Sequence, residues 1–199
     1  HVLAYDPRGT GASARADRTF GFLEKKDNAN AVRWVETRTG LPRSRVGVWG
    51  PSFGAAVGIL TLEETPGLGF VIADSTFASF EWVTRDTITL LSHSVVAEIF
   101  TPLVLGFLEW RTGMVVAEVD PTAAIADAGS PVLLVHALAD PAMNVAHSRA
   151  VFARRTGDHV QLEITDWGAG HADSALVDPE AYRRLVRGFL SRIEFADPR

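Results

Sequence analysis

Arg45-Val46-Gly47-Val48-Trp49-Gly50-Pro51-Ser52-Phe53-Gly54-Ala55-Ala56-Val57-Gly58-Ile59-Leu60 passes from an apolar strand pattern through a turn into a small-residue helical pattern. Read as strand, turn and helix, the stretch places one serine at the apex of a G-x-S-x-G pentapeptide, the setting in which that motif denotes a nucleophile elbow. A serine in so tight a turn is held in strained backbone geometry, and Gly50 and Gly54 are expected to let strand and helix approach without Cβ clashes. The Ser52 hydroxyl then stands clear of the sheet. The competing reading is a plain strand-to-helix turn in a chain with 17 glycines, and the residues downstream of the elbow decide between the two.

A serine hydroxyl is a weak nucleophile unless a base takes its proton and a third group orients that base. Both groups are present downstream. Asp140 follows the apolar run Pro131 to Ala137, and a carboxylate there falls at the carboxyl edge of a sheet, where ligands bind in open α/β folds. His171 lies in Trp167-Gly168-Ala169-Gly170-His171-Ala172, a glycine-bracketed loop after the last strand-like run. The chain order Ser, Asp, His is one of three known for this constellation. Asp74 also follows a strand and is the rival candidate for the acid. His136, inside an apolar run, reads as a buried, hydrogen-bonded histidine. His93, His147 and His159 read as lid or surface residues, and Asp166 and Asp173 as capping or solvated carboxylates. No two histidines share a helix face at ligand spacing, so neither a metal nor another cofactor is expected.

Outward from the elbow, short apolar runs alternate with helical patterns. Strands are expected at Val2 to Tyr5, Arg45 to Trp49, Gly69 to Ala73, Pro131 to Ala137 and Val160 to Ile164, four of them near-continuous apolar runs as in parallel strands covered on both faces. Helices are expected at Asp27 to Arg38, Ser52 to Glu64, Ala146 to Arg155 and Pro179 to Ile193, with Gly40 as a stop and Asp178-Pro179-Glu180 as a start. This alternation predicts an α/β fold, a doubly wound, mostly parallel sheet in one domain over 1–199. The connection from Asp74 to Ala128 breaks the rhythm with two apolar helical stretches, about Phe77 to Leu91 and Val95 to Trp110. Long connections are commonly functional, and residues 75–128 are expected to form a helical lid or cap. Phe77, Phe80, Trp82, Phe100, Phe107 and Trp110 either line a pocket under it or pack the helices onto the sheet.

Composition narrows the function classes. A chain of 199 residues can bury a sizeable core. Its formal net charge of −5 and dispersed arginines argue against nucleic acid as a partner. Without cysteine there is no disulfide framework, thiolate metal site or thiol redox chemistry. The apolar stretch from Leu90 to Trp110 is interrupted by His93, Glu98, Pro102 and Glu109, which argues against a membrane span.

Beyond the elbow, several segments together resemble the α/β-hydrolase superfamily, over essentially the whole chain. Tyr5-Asp6-Pro7-Arg8-Gly9-Thr10-Gly11-Ala12-Ser13 resembles the D-x-R-G-x-G-x-S loop that follows an early strand in these proteins, with Asp6 and Arg8 in structural roles. Phe22 to Asp27 and Val32 to Val35 resemble the helix before the nucleophile strand of bacterial esterases and peptidase-like hydrolases. Pro131 to Asp140 resembles the P-V-L-x-x-H-G-x-x-D segment, and Gly170-His171-Ala172 the catalytic histidine loop. Two positions depart from the pattern, Ala137 for a glycine and Asn144 for a proline.

The resemblance implies a serine hydrolase with Ser52 as nucleophile, His171 as base, Asp140 as acid and the Phe53 N–H in the oxyanion hole. Serine at the elbow, where epoxide-opening and dehalogenating relatives carry aspartate, implies acyl transfer. Ala55 in place of a second glycine after Gly54 tilts the expectation away from prolyl oligopeptidases and towards a small carboxylic-ester substrate, the alternatives being a peptidase, amidase or thioesterase of the same fold or a non-catalytic binding protein. The same alignment implies that His1 enters the fold at its fourth strand, with N-terminal strands missing, among them one between Val2 and Arg45 and one donor of the oxyanion hole.

Overall fold

The computed structural model describes residues 1–195, so the last four residues of the single domain expected over 1–199 lie outside the described residues. Four parallel strands form one sheet in the order β1 (Gly47–Pro51), β2 (Phe70–Asp74), β3 (Val132–Ala137) and β4 (Val160–Thr165). The helices are α1 (Glu24–Thr39), α2 (Phe53–Glu64), α3 (Phe80–Leu91), α4 (Ser94–Thr112), α5 (Pro121–Ala126), α6 (Ala146–Ala153), α7 (Ser174–Val177) and α8 (Pro179–Arg192). Each strand pairs with its successor in register, Pro51 opposite Asp74, Asp74 opposite Val135, and Ala137 opposite Thr165. The carboxyl ends of all four therefore finish along one edge.

Cover on both faces accounts for the apolar runs of β2 and β3, whereas β1, expected to be covered likewise, is largely exposed. Successive side chains of a strand alternate, and the core divides accordingly. Val71, Ala73, Val132 and Leu134 belong to a large cluster with residues of α2, α5 and α6, whereas Ile72, Leu133 and Val135 face α8 through Tyr182 and Phe189. Phe189 is fully buried, which is worth about 2–3 kcal/mol for a side chain of that size. Small residues bring α2 close to the sheet: a Cβ on Gly58 would sit 3.2 Å from a Val71 methyl and 3.4 Å from a Val48 methyl. The expected helix signals operate. Gly40 ends α1 in the left-handed region with its N–H bonded to Glu36, and the Asp178 carboxylate caps α8 at the Ala181 N–H.

Other expectations are corrected. Val2 to Tyr5 form no strand and are exposed. A strand is held by a ladder partner, and among the described residues β1 pairs only with β2, so the apolar pattern at 2–5 has nothing to bond. Of the six aromatic residues between β2 and β3, Phe77 and Phe80 are core, Phe80 stacking on Phe20 at 4.4 Å, and Trp82 packs half-buried against that core. Phe100, Phe107 and Trp110 are exposed on α4 together with Val95, Ile99 and Leu103. No single helix among the described residues is long and apolar enough to cross a membrane. Asp6 and Arg8 hold their loop as expected: Asp6 accepts the Ala12 N–H, and Arg8 grips both carboxylate oxygens of Asp27 at 2.5 and 2.6 Å.

Candidate active site

The pentapeptide at the end of β1 folds as a strand, a one-residue turn and a helix. Ser52 has φ 51° and ψ −118°, a conformation that L-residues rarely adopt. Its N–H donates to the Asp74 carbonyl at 2.7 Å, extending the β1–β2 ladder by one bond, and its carbonyl accepts from Ala55 and Ala56 to start α2. The two glycines contribute unequally. A Cβ on Gly50 would lie 2.4 Å from the Gly54 carbonyl oxygen, so Gly50 is a steric requirement, whereas a Cβ on Gly54 would meet only Pro51 Cδ at an ordinary 3.6 Å. The expected need for glycine on both sides therefore holds for Gly50 alone.

Ser52, Asp140 and His171 come from three sheet-edge loops and meet. Asp140 Oδ2 lies 2.7 Å from His171 Nδ1, and His171 Nε2 lies 2.6 Å from Ser52 Oγ. An ionised carboxylate only accepts, so Nδ1 carries the proton and Nε2 is free to accept the serine O–H. The Asp140 side chain is fully shielded, while that of His171 is 27% exposed. Burial pushes the Asp140 carboxyl upwards, but hydrogen bonds from His171 and from the Met143 and Ala142 N–H groups outweigh it and hold the group below its usual range.

Beneath Asp140, His136 is fully buried with both ring nitrogens engaged. Its Nε2–H donates to the Met143 carbonyl at 2.9 Å, and its Nδ1 accepts from Ser148 at 2.7 Å. Burial lowers its pKa, so it is neutral and anchors the loop that carries Asp140. His147 departs from its expected surface place: it is 1% exposed, accepts the Ala78 N–H at 3.2 Å and lies 3.2 Å from Asp86. Its position on α6 faces Trp82 of α3, with ring centroids 4.5 Å apart, a neighbour that sequence spacing does not reveal. His93 is exposed at the start of α4, and His159 is tied to the Ala128 carbonyl.

Asp74 does not touch His171 as Asp140 does. It is 1% exposed, accepts the Ser75 hydroxyl at 3.1 Å and is hydrogen-bonded to Tyr182, whose oxygen accepts the Trp49 indole N–H at 2.9 Å. Burial pushes its pKa from 3.8 up to about 6, against the pull of those hydrogen bonds and of nearby His171 and with a smaller push from Asp140. Burial and the adjacent Asp74 likewise raise Tyr182. Ser75 and Tyr182 carry no motif, and the only sequence signal at Ser75 is its place one residue past a strand end. A cleft of about 650 Å³ between α3, α4 and residues 116–120 has Arg85, Thr101 and Glu109 among its walls and none of the three site residues.

The sequence pattern of the prolyl oligopeptidase family matches residues 2–192. The chain is 30% identical to YqkD of Bacillus subtilis over 97% of its own length and 63% of that protein's. It is 27% identical to the α/β-hydrolase domain-containing protein WAV2 of Arabidopsis thaliana over 96% and 60%. It thus spans less than two thirds of the curated relatives it matches. Among solved structures it is similar to the Pyrococcus furiosus esterase Pf2001 (TM-score 0.73, 23% identity, 96% of this chain and 70% of that one). It is also similar to the Pyrococcus horikoshii acylaminoacyl peptidase (TM-score 0.68, 17% identity, 97% and 32%). These likenesses establish the α/β-hydrolase fold. The expectation drawn from Ala55 is corrected at the level of family by the match over residues 2–192; the Ala55 methyl is fully buried within α2. With the match covering nearly the whole chain, the protein belongs to the prolyl oligopeptidase family.

Proposed function

We propose that the protein is a serine hydrolase that cleaves carboxylic esters through an acyl-enzyme on Ser52. The observation that carries this reading is the unbroken hydrogen-bond chain from Asp140 through His171 to Ser52. In the forward step Ser52 Oγ attacks the acyl carbon while His171 Nε2 takes its proton. Asp140, held as a carboxylate by its N–H donors, orients the imidazole and stabilises its charged form. The oxyanion receives the Phe53 N–H, one of the first amides of α2 that have no partner within the helix, at the positive end of the helix dipole. The tetrahedral adduct expels the alkoxide, which takes the proton from His171. Water then repeats the sequence on the acyl-enzyme, and the acid leaves with Ser52 restored.

Residues 75–128, containing α3 and α4, serve in this reading as the cap beside the site. A small acyl ester is the substrate class, with no cofactor. An amide substrate is the second reading, and the family match together with the acylaminoacyl peptidase among the similar folds favours it. Turnover of short-chain p-nitrophenyl esters against the matching acyl p-nitroanilides separates the two. Faster anilide turnover would move the assignment to a peptidase. Absence of fluorophosphonate labelling, or labelling that persists in Ser52→Ala, would leave a non-catalytic binding protein instead.

A further inference from the structure

His171 sits in a loop without regular structure, about one-quarter exposed, and its two ring contacts are the two bonds it needs for chemistry. Something else must fix the loop. The residue after it, Ala172, has φ 57°, a left-handed conformation without glycine, and such a residue persists only where its surroundings over-determine it. Its N–H donates to Ser75 Oγ at 3.2 Å across 97 residues of sequence. Ser75 is itself left-handed at φ 59° and fully buried, with its N–H on the Val135 carbonyl at 2.8 Å and its hydroxyl proton on Asp74 at 3.1 Å. The roles at Ser75 are thereby fixed: its single proton goes to Asp74, and its oxygen accepts the Ala172 N–H.

We propose that Asp74 and Ser75 are positioning residues for the base: the Asp74 carboxylate orients the Ser75 hydroxyl, which accepts the Ala172 N–H and fixes the peptide that carries His171. The proposal rests on the hydrolase reading for its catalytic consequence, and on the hydrogen bonds alone for its structural one. Tyr182 and Trp49 complete the arrangement from the far side, Tyr182 bonding Asp74 and Trp49 bonding Tyr182. The titratable groups that face Asp74 are Tyr182 on α8, His171 in its loop and Asp140 beyond β3. A protonated Asp74 offers the Ser75 proton only a neutral oxygen, a weaker acceptor than the carboxylate that makes the charge-assisted bond. The clamp is therefore tightest with Asp74 ionised, and it weakens as Asp74 takes up a proton near pH 6.

Two variants of this chain test the proposal. Ser75→Ala removes the acceptor, and kcat for a p-nitrophenyl ester is expected to fall about tenfold with KM nearly unchanged, the equivalent of one lost buried hydrogen bond. Amide hydrogen exchange at Ala172 is expected to speed up in the same variant. Asp74→Asn keeps an oxygen for Ser75 but cannot ionise. Its pH profile for kcat/KM is expected to lose the ionisation near pH 6. Wild-type kcat with wild-type exchange at Ala172 in Ser75→Ala, or a pH profile of Asp74→Asn that superimposes on the wild type, overturns the proposal. Should Ser75→Ala not fold, the Asp74→Asn profile decides alone. A wild-type chain that neither turns over esters nor labels would defeat the hydrolase reading, and exchange at Ala172 would then decide the clamp by itself.

Discussion

Replacing Ser52 by glycine and by alanine separates the strain in the elbow from its chemistry. Both changes remove the Oγ to His171 bond, so that loss cancels in the comparison. Helix capping cancels too, because Ser52 stands at the N-cap of α2 without a side-chain cap bond. What differs is the backbone. At φ 51° and ψ −118° the residue lies outside even the ordinary left-handed helical well, whose ψ is about +47°. A non-glycine residue held in such a region carries about 1–3 kcal/mol of strain, which alanine keeps and glycine sheds. Glycine gives back about 0.4–1 kcal/mol through the entropy of the unfolded chain. The glycine variant is thus expected to be more stable than the alanine variant by about 1 kcal/mol, or about 2–4 °C in Tm for a chain of this size. Paired urea and thermal melts measure the difference, and both variants are expected to be inactive. An alanine variant as stable as the glycine variant, or more so, would refute the strain argument.

Other substitutions bear on the same edge of the sheet. Asp140→Asn, which swaps an acceptor for an amide at His171, is expected to lower kcat by about 10⁴-fold, as such a swap does in serine proteases, and more than Asp74→Asn does in the same ester assay. Gly50→Ala drives a methyl to 2.4 Å from the Gly54 carbonyl and is expected to cost about 3 kcal/mol or more in a urea melt, whereas Gly54→Ala meets only an ordinary contact and is expected to cost less than about 1 kcal/mol. The raised carboxyl of Asp74 stabilises the fold below its unfolded pKa of 3.8, and that contribution is lost as pH rises through about 6, amounting to about 3 kcal/mol at most. Asp74→Asn is expected to remove this fall from a stability-against-pH curve. Asp140 acts with the opposite sign, its contribution present above 3.8 and lost as pH drops through its depressed pKa.

Legibility in the sequence depended on which signals are local. β2 and β3 were readable because strands buried on both faces are apolar at nearly every position; β2 moved by one residue, from Gly69–Ala73 to Phe70–Asp74, and β3 only at its start, Pro131 giving way to Val132. That Ser52, Asp140 and His171 would come to one sheet edge was legible because each carries its own flanking pattern at a strand end. The strand expected at Val2 to Tyr5 was a correct local pattern without the ladder partner that makes a strand. Ser75 and Tyr182 were invisible for a different reason. Their partners lie 97 and 133 residues away, and a serine or tyrosine that satisfies one distant group leaves no periodicity behind. His147 was misread because a histidine on a short helix shows its burial only once α3 has brought Trp82 and Asp86 against it.

The three strained residues of the site explain one another. Ser52, Ser75 and Ala172 are non-glycine residues at positive φ, and they follow β1, β2 and β4 at the same edge. Each is bonded to the segment beside it: Ser52 N–H to the Asp74 carbonyl, Ser75 N–H to the Val135 carbonyl, and Ala172 N–H to Ser75 Oγ. The bonding of the sheet edge is thereby carried past the strand ends into the loops that hold Ser52 and His171. A turn that bends sharply out of a sheet would normally free its first amides. Here those amides remain bonded, and the bond energy offsets the unfavourable dihedrals. The arrangement makes the distance from Ser52 to His171 a property of the sheet rather than of two independent loops. Loosening any link should therefore alter the rate of the chemical step more than substrate affinity, which is the kinetic division expected of Ser75→Ala.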